Sequence, residues 1–444
     1  MGLLIGVGNT KPTFPYDYYY GIEWDSTVAN PACTRIGRPE LHVALPVQSG
    51  MRRCILKDDG TVNYYLHATD STKRDNGAAA NLDGTDGQVM VEIPAHYRKF
   101  EVDGTIYRCF ISQHALPGFH FVPLSYRSAY EAAIDRTTSS APKLASVVNL
   151  STAFRGGGNT AAEIAHDADG GSVLGKPATG VSLTNFRAYA RRRGAAGRNG
   201  AGWNCDVYDI QKTCFWLYFI EYANLNCQAA YNAQPTSEGY KQGGLGAGVT
   251  DLVAANITAM TGGTYACIPC GITNSLGNKT GIVTYTMPTE YGATKTTNVP
   301  SYRGLENPFG HLWSWTDGVK VNIQSDASGG LSQLYICEDP ENFQSNNYDN
   351  YQVRGLLPRK EGYVKRVIIG EYGENMPAEV GAASTTYFCD YFYTSIPASG
   401  ESQRGVFFGG SAANGAFAGF GSAYTANAAS STGTSIGSRL CFIP

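Results

Sequence analysis

The feature that most constrains the fold of this chain is a long segment without charge. The 34 residues between Arg404 and Arg439 carry no charged side chain and include eight Gly and eight Ala. Small residues let a backbone turn tightly, and surface loops tolerate changes of side chain. We therefore predict a loop over 411–432 whose contact area comes from aromatic and amide side chains: Asn414, Phe417, Phe420, Tyr424 and Asn427. The alternative is a structural loop packed against its own domain or a neighbouring subunit.

Charge balance and cysteine content narrow the class of protein. A formal net charge of -3 gives no overall attraction to nucleic acid or to an anionic membrane, so neither is an expected partner. Residues 1–10 lack the basic and apolar parts of a signal peptide, and no later segment is apolar enough for membrane insertion. Eleven cysteines, an odd number, argue against a complete disulfide framework and fit folding in a reducing cytoplasm.

The first 126 residues have the pattern of a β-rich region. Apolar and polar residues alternate in several runs, and Asp-Gly dipeptides at 59–60, 86–87 and 103–104 lie between them. Asp-Gly between strand-like runs predicts β-hairpins. Residues 127–170 are rich in Ser, Ala, Thr and Gly and are predicted to be a connecting segment, with one short helix over 125–134.

Residues 171–444 open with clear helical signals and continue as mostly β structure. A Ser cap, an apolar face and a terminal run of Arg before Gly predict a helix over 182–193. Apolar residues at helical spacing predict a longer and largely buried helix over 206–231. Short strand-like runs follow. The predicted fold class is therefore α+β, with an N-terminal β-rich region followed by a domain of two helices and many short strands.

Several segments, in their order along the chain, resemble a known family. RGLENPFGHLWSWTDGV (303–319) resembles the Gly-x-x-Trp-x-Trp core of the C-type-lectin-like fold that formylglycine-generating enzymes and phage receptor-binding proteins share. RGVFFGGS (404–411) and IGSRL (436–440) are similar to the closing strands of that fold, between which such proteins place a ligand-facing loop. GIEWD (21–25) and NFRAYARRRG (185–194) look like segments of tail-fibre and minor structural proteins from phages and prophages of gut Bacteroides.

This resemblance implies a function as well as a fold. It implies a virion protein whose C-type-lectin-like domain, 171–444, binds a host surface glycan or outer-membrane protein during adsorption. The region 1–126 is then expected to attach to other virion proteins, and relatives of this kind are often homotrimers. Some are targets of diversity-generating retroelements, whose variable Asn codons yield the residue types that fill 411–432. The alternative is a structural decoration or head-fibre protein that uses the fold only for packing.

Two further aromatic groups are candidates for contact with a ligand. TTYFCDYFYTS (385–395), with Tyr391 and Tyr393, is the next candidate for the ligand surface after 411–432. Trp313 and Trp315 alternate and could line a sugar site, but the resembling fold has this segment in its core. We therefore expect a core role for this segment, with at least one of the two rings buried.

No catalytic residue is predicted. The segment 411–420 lacks the reactive cysteine that formylglycine-generating enzymes have there. Cys267-Ile-Pro-Cys270 has the spacing of a redox pair or of half a zinc site, but no second half follows, so two ordinary loop cysteines are expected. An enzyme acting on envelope polysaccharide stays an alternative, because the separation of its two carboxylates in space is not readable from sequence.

No metal ion or cofactor is predicted either. His114 and His120 have no carboxylate at useful spacing, and a turn or core role is expected for both. Asp339, Glu341 and Asp349 could in principle bind calcium, but they lack the Glu-Pro-Asn triplet of carbohydrate-binding lectins.

Overall fold

A computed structural model of the chain describes residues 16–165, 173–194, 202–249, 266–287 and 296–444. Strand makes up 38% and helix 15% of it, so the predicted mixture of α and β structure is confirmed, with strand predominating. Residues 1–10, predicted not to be a signal peptide, lie outside the described residues. Within the described residues, no helix is long and apolar enough to cross a membrane.

The described part of the chain forms short helices and many strands. The helices are α1 (Pro39–Ala44), α2 (Pro46–Ser49), α3 (Ala161–Ala165), α4 (Leu183–Arg191) and α5 (Tyr208–Tyr222). The strands before α3 are β1 (Tyr20–Asp25), β2 (Thr34–Gly37), β3 (Arg52–Leu56), β4 (Val62–His67), β5 (Asp70–Arg74), β6 (Gln88–Ile93), β7 (His96–Asp103), β8 (Ile106–Ser112), β9 (His120–Val122), β10 (Ser125–Ser128), β11 (Ala133–Asp135) and β12 (Lys143–Ala145). The strands after α4 are β13 (Trp203–Val207), β14 (Gly281–Thr286), β15 (Thr296–Tyr302), β16 (Leu305–Glu306), β17 (Trp313–Gln324), β18 (Ser332–Ile336), β19 (Gln352–Leu356), β20 (Gly362–Ile369), β21 (Glu374–Val380), β22 (Tyr391–Tyr393), β23 (Glu401–Gly409), β24 (Gly419–Tyr424), β25 (Ile436–Ser438) and β26 (Leu440–Phe442).

Most strands belong to one large sheet. Its order is β21-β20-β22-β24-β23-β17-β13-β26-β10-β6-β3-β4-β5, with β18 and β25 also paired to β17, and β19 paired to β18. A second sheet has the order β2-β1-β8-β7-β9, and β14-β15-β16 and β11-β12 form smaller ones. The boundary predicted at residue 126 falls inside β10, which pairs with β6 on one side and β26 on the other. Strands from 1–126 and from 171–444 therefore share the large sheet.

Both predicted helices are present, and the second is shorter than predicted. The Ser182 hydroxyl accepts a hydrogen bond from the Asn185 amide at 3.3 Å and caps α4 as the sequence indicates. All residues of α5 except Asp209 are buried, and the helix contacts strands of both larger sheets, β1 and β17. The prediction of helix up to 231 is wrong, because Ala223 adopts the left-handed conformation (φ 48°, ψ 43°) and ends α5 at Tyr222.

Two predictions for the N-terminal half need correction. The helix predicted over 125–134 is absent: this segment contains β10 and β11, because pairing with β6, β26 and β12 outweighs local helix propensity. The Asp-Gly pairs at 59–60 and 103–104 do join antiparallel neighbours, β3 with β4 and β7 with β8. The Asp-Gly pair at 86–87 does not form a hairpin, since the following strand β6 pairs with β3 rather than with β5.

The tryptophan segment lies in the core, as predicted. Trp313 is 5% exposed and Trp315 is fully buried. Both rings pack edge-on against Phe407 of β23, with centroids 5.1 Å and 4.7 Å away. β17 thus forms the centre of the sheet region that supports the candidate loop, since it pairs with β23 before that loop and with β25 after it.

Candidate functional site

The two segments predicted as separate candidates, 411–432 and 385–395, are neighbours in the structure. β22 pairs in parallel with β24, which belongs to the first of these segments. On its other side β22 pairs antiparallel with β20, which places Tyr391 opposite Tyr363. A third segment therefore joins the two predicted ones.

The alternation of β22 determines which of its side chains reach the surface. Phe392 is fully buried, whereas Tyr391 and Tyr393 are half-buried. Successive side chains of a strand point to opposite faces, so the two tyrosines share one face with Tyr363 of the paired strand. The ring centroid of Tyr391 lies 4.6 Å from that of Tyr393 and 5.0 Å from that of Tyr363.

Phe417 adds a fourth ring to this group from the turn after β23. It ends a short 3-10 helix, Gly415–Phe417, and is 40% exposed. Its ring centroid lies 4.5 Å from that of Tyr391 and 5.5 Å from that of Tyr363. We call these four rings, Tyr363, Tyr391, Tyr393 and Phe417, the aromatic surface.

Asn414 fixes the turn that carries Phe417. Its Oδ1 accepts hydrogen bonds from the Ser411 backbone amide at 2.7 Å and from the Ser411 hydroxyl at 2.8 Å. Its Nδ2 donates to the Tyr393 hydroxyl at 3.0 Å. An amide group has two donors and two acceptor positions, so among the described residues one N–H of this partly exposed side chain stays open to a ligand.

Two residues outside the predicted segments hold the same turn. The Gln228 Nε2 donates to the carbonyl oxygen of Ala416 at 3.3 Å and to that of Ala418. The Tyr363 hydroxyl donates to the Ala416 carbonyl at 3.5 Å. Neither Gln228 nor Tyr363 was predicted. Val, Ile and Tyr in 362–369 favour a strand, but which strand it pairs with depends on contacts between distant segments that no local pattern reveals.

Phe420 does not belong to the surface, which corrects its predicted role as a ligand contact. It is 1% exposed and packs among the rings of Tyr218, Tyr302 and Phe309, at centroid distances of 5.4, 6.1 and 5.8 Å. The reason is that residues 419–424 form the strand β24 inside the large sheet rather than a loop. The packing alternative therefore holds for this part of 411–432.

Tyr424 and Asn427 lie beside the aromatic surface. The half-buried Tyr424 ring stacks on Phe407 at 4.6 Å and on Tyr393 at 5.3 Å, so it contacts the aromatic surface through Tyr393. Asn427 is partly exposed, and its backbone carbonyl oxygen accepts a hydrogen bond from the Gly405 backbone amide of β23 at 3.0 Å. Of the predicted site residues, the structure thus brings together Asn414, Phe417, Tyr391 and Tyr393.

A buried carboxyl group explains two glycines of the charge-free segment. Asp390, just before β22, accepts hydrogen bonds from the Gly421 amide at 3.0 Å and the Ser422 hydroxyl at 3.5 Å. A Cβ atom at Gly419 would lie 1.8 Å from Asp390 Oδ1, and one at Gly421 would lie 2.7 Å from Oδ2. Only glycine allows β24 to approach this side chain so closely.

The buried Asp390 makes a pH dependence of stability testable. Burial raises its pKa to about 8, although hydrogen bonds from Gly421, Ser422 and Cys227 act in the opposite direction. Between about pH 4 and pH 8 the unfolded chain has lost this proton while the folded chain keeps it, so the free energy of unfolding falls as pH rises. The Asn side chain of Asp390→Asn cannot ionise. We therefore expect the free energy of unfolding of this variant, measured by urea unfolding, to fall less than that of the parent protein over this pH range. Parallel pH profiles for the two proteins would contradict the assignment.

The aromatic surface is uncharged at neutral pH. Burial raises the pKa of Tyr393 to about 12, and it raises the pKa of Tyr391 and Tyr363 as well. All three hydroxyls therefore keep their protons and can both donate and accept hydrogen bonds. Glu361 lies next to this group in the chain, and its Oε1 accepts a hydrogen bond from the Thr394 amide at 3.2 Å.

Two of the side chains that were considered as metal ligands, Asp339 and His120, contact other groups of the protein. In the described part of the chain, no group of three or more His, Cys, Asp and Glu side chains is placed to hold a metal ion. The Asp339 carboxylate accepts hydrogen bonds from the Glu341 amide at 3.1 Å and the Asn342 side chain at 2.8 Å. His120 Nε2 lies 3.2 Å from the Glu371 carboxylate. All eleven cysteines are free thiols.

Comparison with known proteins adds no family to this description. No family model matches the chain, and no curated protein matches it significantly. The chemistry of the aromatic surface is therefore the main guide to what this region does.

Proposed function

We propose that the chain is a phage virion fibre protein whose aromatic surface binds the host cell surface during adsorption. One observation carries this proposal: four aromatic rings from three segments form a partly exposed group, with Phe417 40% exposed at its rim. Large exposed apolar side chains held in one place are typical of binding sites rather than of ordinary protein surface.

A glycan is the ligand class that this chemistry favours. Aromatic rings cover the apolar faces of sugars, and Tyr provides large, rigid contact area at a low cost in conformational entropy. Around the rings, the Tyr hydroxyls and the Asn414 amide offer uncharged donors and acceptors, as hydroxyl groups of a sugar require. An outer-membrane protein is the other partner that the resemblance implies, and binding experiments distinguish the two.

The C-type-lectin-like assignment of 171–444 is part of the same proposal. It is supported by the pairing of the resembling segments. β17, which begins within 303–319, pairs with β23, which overlaps 404–411, and with β25, which lies within 436–440. In such a fibre the region 1–126 attaches the protein to other virion proteins, and three copies form the particle-bound unit.

Replacing Phe417 by Ala tests the proposed function. Aromatic anchors of binding surfaces cost about 2 kcal/mol or more when truncated, so affinity for the host surface is expected to fall by roughly thirtyfold. Stability is expected to change by within about 0.5 kcal/mol, since the side chain is exposed. Binding of the purified protein to a glycan array and to host cells measures the first effect, and thermal unfolding measures the second.

Phe121 provides a matched control for this experiment. It is an exposed Phe on β9, 58% accessible, and lies in the other large sheet. Phe121→Ala is expected to leave binding unchanged. Equal binding by both variants, or a loss in Phe121→Ala alone, would contradict the proposed surface. Intact binding together with poor particle assembly in Phe417→Ala would support the structural decoration protein instead.

A further inference from the structure

A cysteine, a histidine and a glutamate form a hydrogen-bonded chain away from the aromatic surface. Cys267 Sγ lies 3.4 Å from His311 Nε2, and His311 Nδ1 lies 2.5 Å from Glu131 Oε2. The other oxygen of Glu131 accepts a hydrogen bond from the Leu312 amide at 3.2 Å. All three side chains are buried. The carboxylate therefore orients the imidazole, and the imidazole faces the thiol.

The contacts of His311 assign a role to each ring nitrogen. The carboxylate of Glu131 accepts a hydrogen bond, so Nδ1 carries a proton. The Ile268 amide donates to Nε2 at 3.3 Å, so Nε2 is an acceptor, and the Cys267 sulfur lies 3.4 Å from the same nitrogen. Burial lowers the pKa of His311, but Glu131 and Cys267 outweigh this effect and raise it. A proton that the ring takes from Cys267 is therefore held on His311, and the sulfur is left as a thiolate.

A second thiol lies at the same glutamate. Cys270 Sγ donates to the backbone carbonyl oxygen of Glu131 at 3.5 Å. It follows Cys267 by three positions, which is the spacing of redox-active Cys-x-x-Cys motifs. Burial and the neighbouring carboxylates raise the pKa of Cys270 well above its ordinary value, so it is the protonated thiol of the pair.

We propose that Cys267 and Cys270 are a peroxide-reactive dithiol, in which His311 activates Cys267 and Cys270 resolves the oxidised product. His311 takes the thiol proton of Cys267, and the thiolate attacks one oxygen of hydrogen peroxide. The O–O bond breaks, the sulfur becomes a sulfenic acid, and hydroxide leaves and is neutralised by the proton. The Cys270 thiol then attacks this sulfur, a disulfide forms and a second water leaves. This modification site is separate from the proposed binding function.

The burial of the site selects a small oxidant. Cys267 is 2% exposed and Cys270 is 7% exposed, so a bulky reagent has little access to either sulfur. Burial alone does not distinguish Cys267, because several other cysteines are also buried; within the described residues, Cys267 is the one whose sulfur contacts a histidine. Cys227, for example, faces the Asp390 carboxyl, and its pKa is raised well above the ordinary value by burial and then by that group.

The experiment treats the whole protein with hydrogen peroxide at pH 7, then blocks free thiols and maps disulfides by mass spectrometry. We expect a disulfide between Cys267 and Cys270 to form before any other cysteine is oxidised. In Cys270→Ser a sulfenic acid at Cys267 is expected to accumulate, and to be trapped by dimedone that is added together with denaturant once the peroxide has been removed. In His311→Gln the rate is expected to fall about a hundredfold, the usual contribution of a general base.

Controls separate activation from unfolding. Cys389→Ser changes a cysteine on another element and is expected to keep the parent rate of disulfide formation. Because His311 is buried, replacing it can destabilise the fold, so the rate of His311→Gln is interpreted together with thermal unfolding data. The trapping experiment in Cys270→Ser does not depend on the His311 variant. Oxidation of other cysteines at the same rate as Cys267 would overturn the proposal. So would the absence of a dimedone adduct at Cys267 when Cys270→Ser is oxidised in the folded state and then unfolded in the presence of dimedone.

Discussion

Replacing Phe420 by Ala is expected to lower the free energy of unfolding by about 3–5 kcal/mol. The side chain is 1% exposed and fills the space between Tyr218 of α5 and Tyr302 of β15, so its removal leaves a cavity that a strand between two paired neighbours cannot close. Urea unfolding followed by tryptophan fluorescence measures the change.

Phe417→Ala is the matched control, because Phe417 and Phe420 are three residues apart in the same charge-free segment. The control is expected to lose no more than about 0.5 kcal/mol. Equal losses in the two variants would show that Phe417 is also packed, and would remove the distinction between the exposed turn and the buried strand β24. A stable Phe420→Ala protein would show that β24 is not part of the core.

Replacing Asp206 by Ala is expected to destabilise the fold by about 3–5 kcal/mol, the usual effect of leaving a buried charge without its partner. Arg127 donates from Nε to Asp206 Oδ1 at 2.9 Å and from Nη2 to Oδ2 at 2.6 Å, and both side chains are buried. Burial lowers the pKa of Arg127, but Asp206 outweighs this effect and raises it, so the guanidinium stays charged. Thermal and urea unfolding measure the loss.

Two comparisons sharpen this test. Asp326→Ala removes the partner of Arg359 in a pair of the same 2.6 Å length, but Asp326 is 92% exposed, so a loss of only about 0–1 kcal/mol is expected. Replacing Arg127 by Met and Asp206 by Leu together removes both charges and is expected to cost less than Asp206→Ala alone. A double variant that is less stable than the single one would contradict the unpaired-charge explanation.

Local signals in the sequence predicted elements whose ends are determined locally. The Ser182 cap is visible in the sequence, and α4 begins where it predicts. The end of α5 was not predictable, because Ala223 is a good helix former. In the structure Ala223 adopts the left-handed conformation, and the chain after it pairs with a distant segment, where the Leu225 amide donates to the Pro31 carbonyl at 2.8 Å. Residues 125–134 likewise form strands because partners far along the chain pair with them.

Some residues of the candidate site were predictable from the sequence, but their assembly was not. Alternation around Phe392 correctly distinguishes buried from outward side chains, and it singles out Tyr391 and Tyr393. Composition did not distinguish Phe417 from Phe420, because both lie among Gly and Ala in a segment without polar periodicity. Tyr363 joins the site only through the pairing of β20 with β22, which is a property of the sheet.

The position of β26 within the large sheet has a consequence for biosynthesis. The Leu440 amide donates to the Ser128 hydroxyl, 312 residues earlier in the chain, and β26 pairs with both β10 and β13. At roughly 5–20 residues per second, a ribosome needs about 15–60 s to make the intervening chain. During that time β10 and β13 present open edges, which are sites of aggregation. A nascent chain of this protein is therefore expected to be exposed to aggregation at these edges until residues 440–442 leave the exit tunnel.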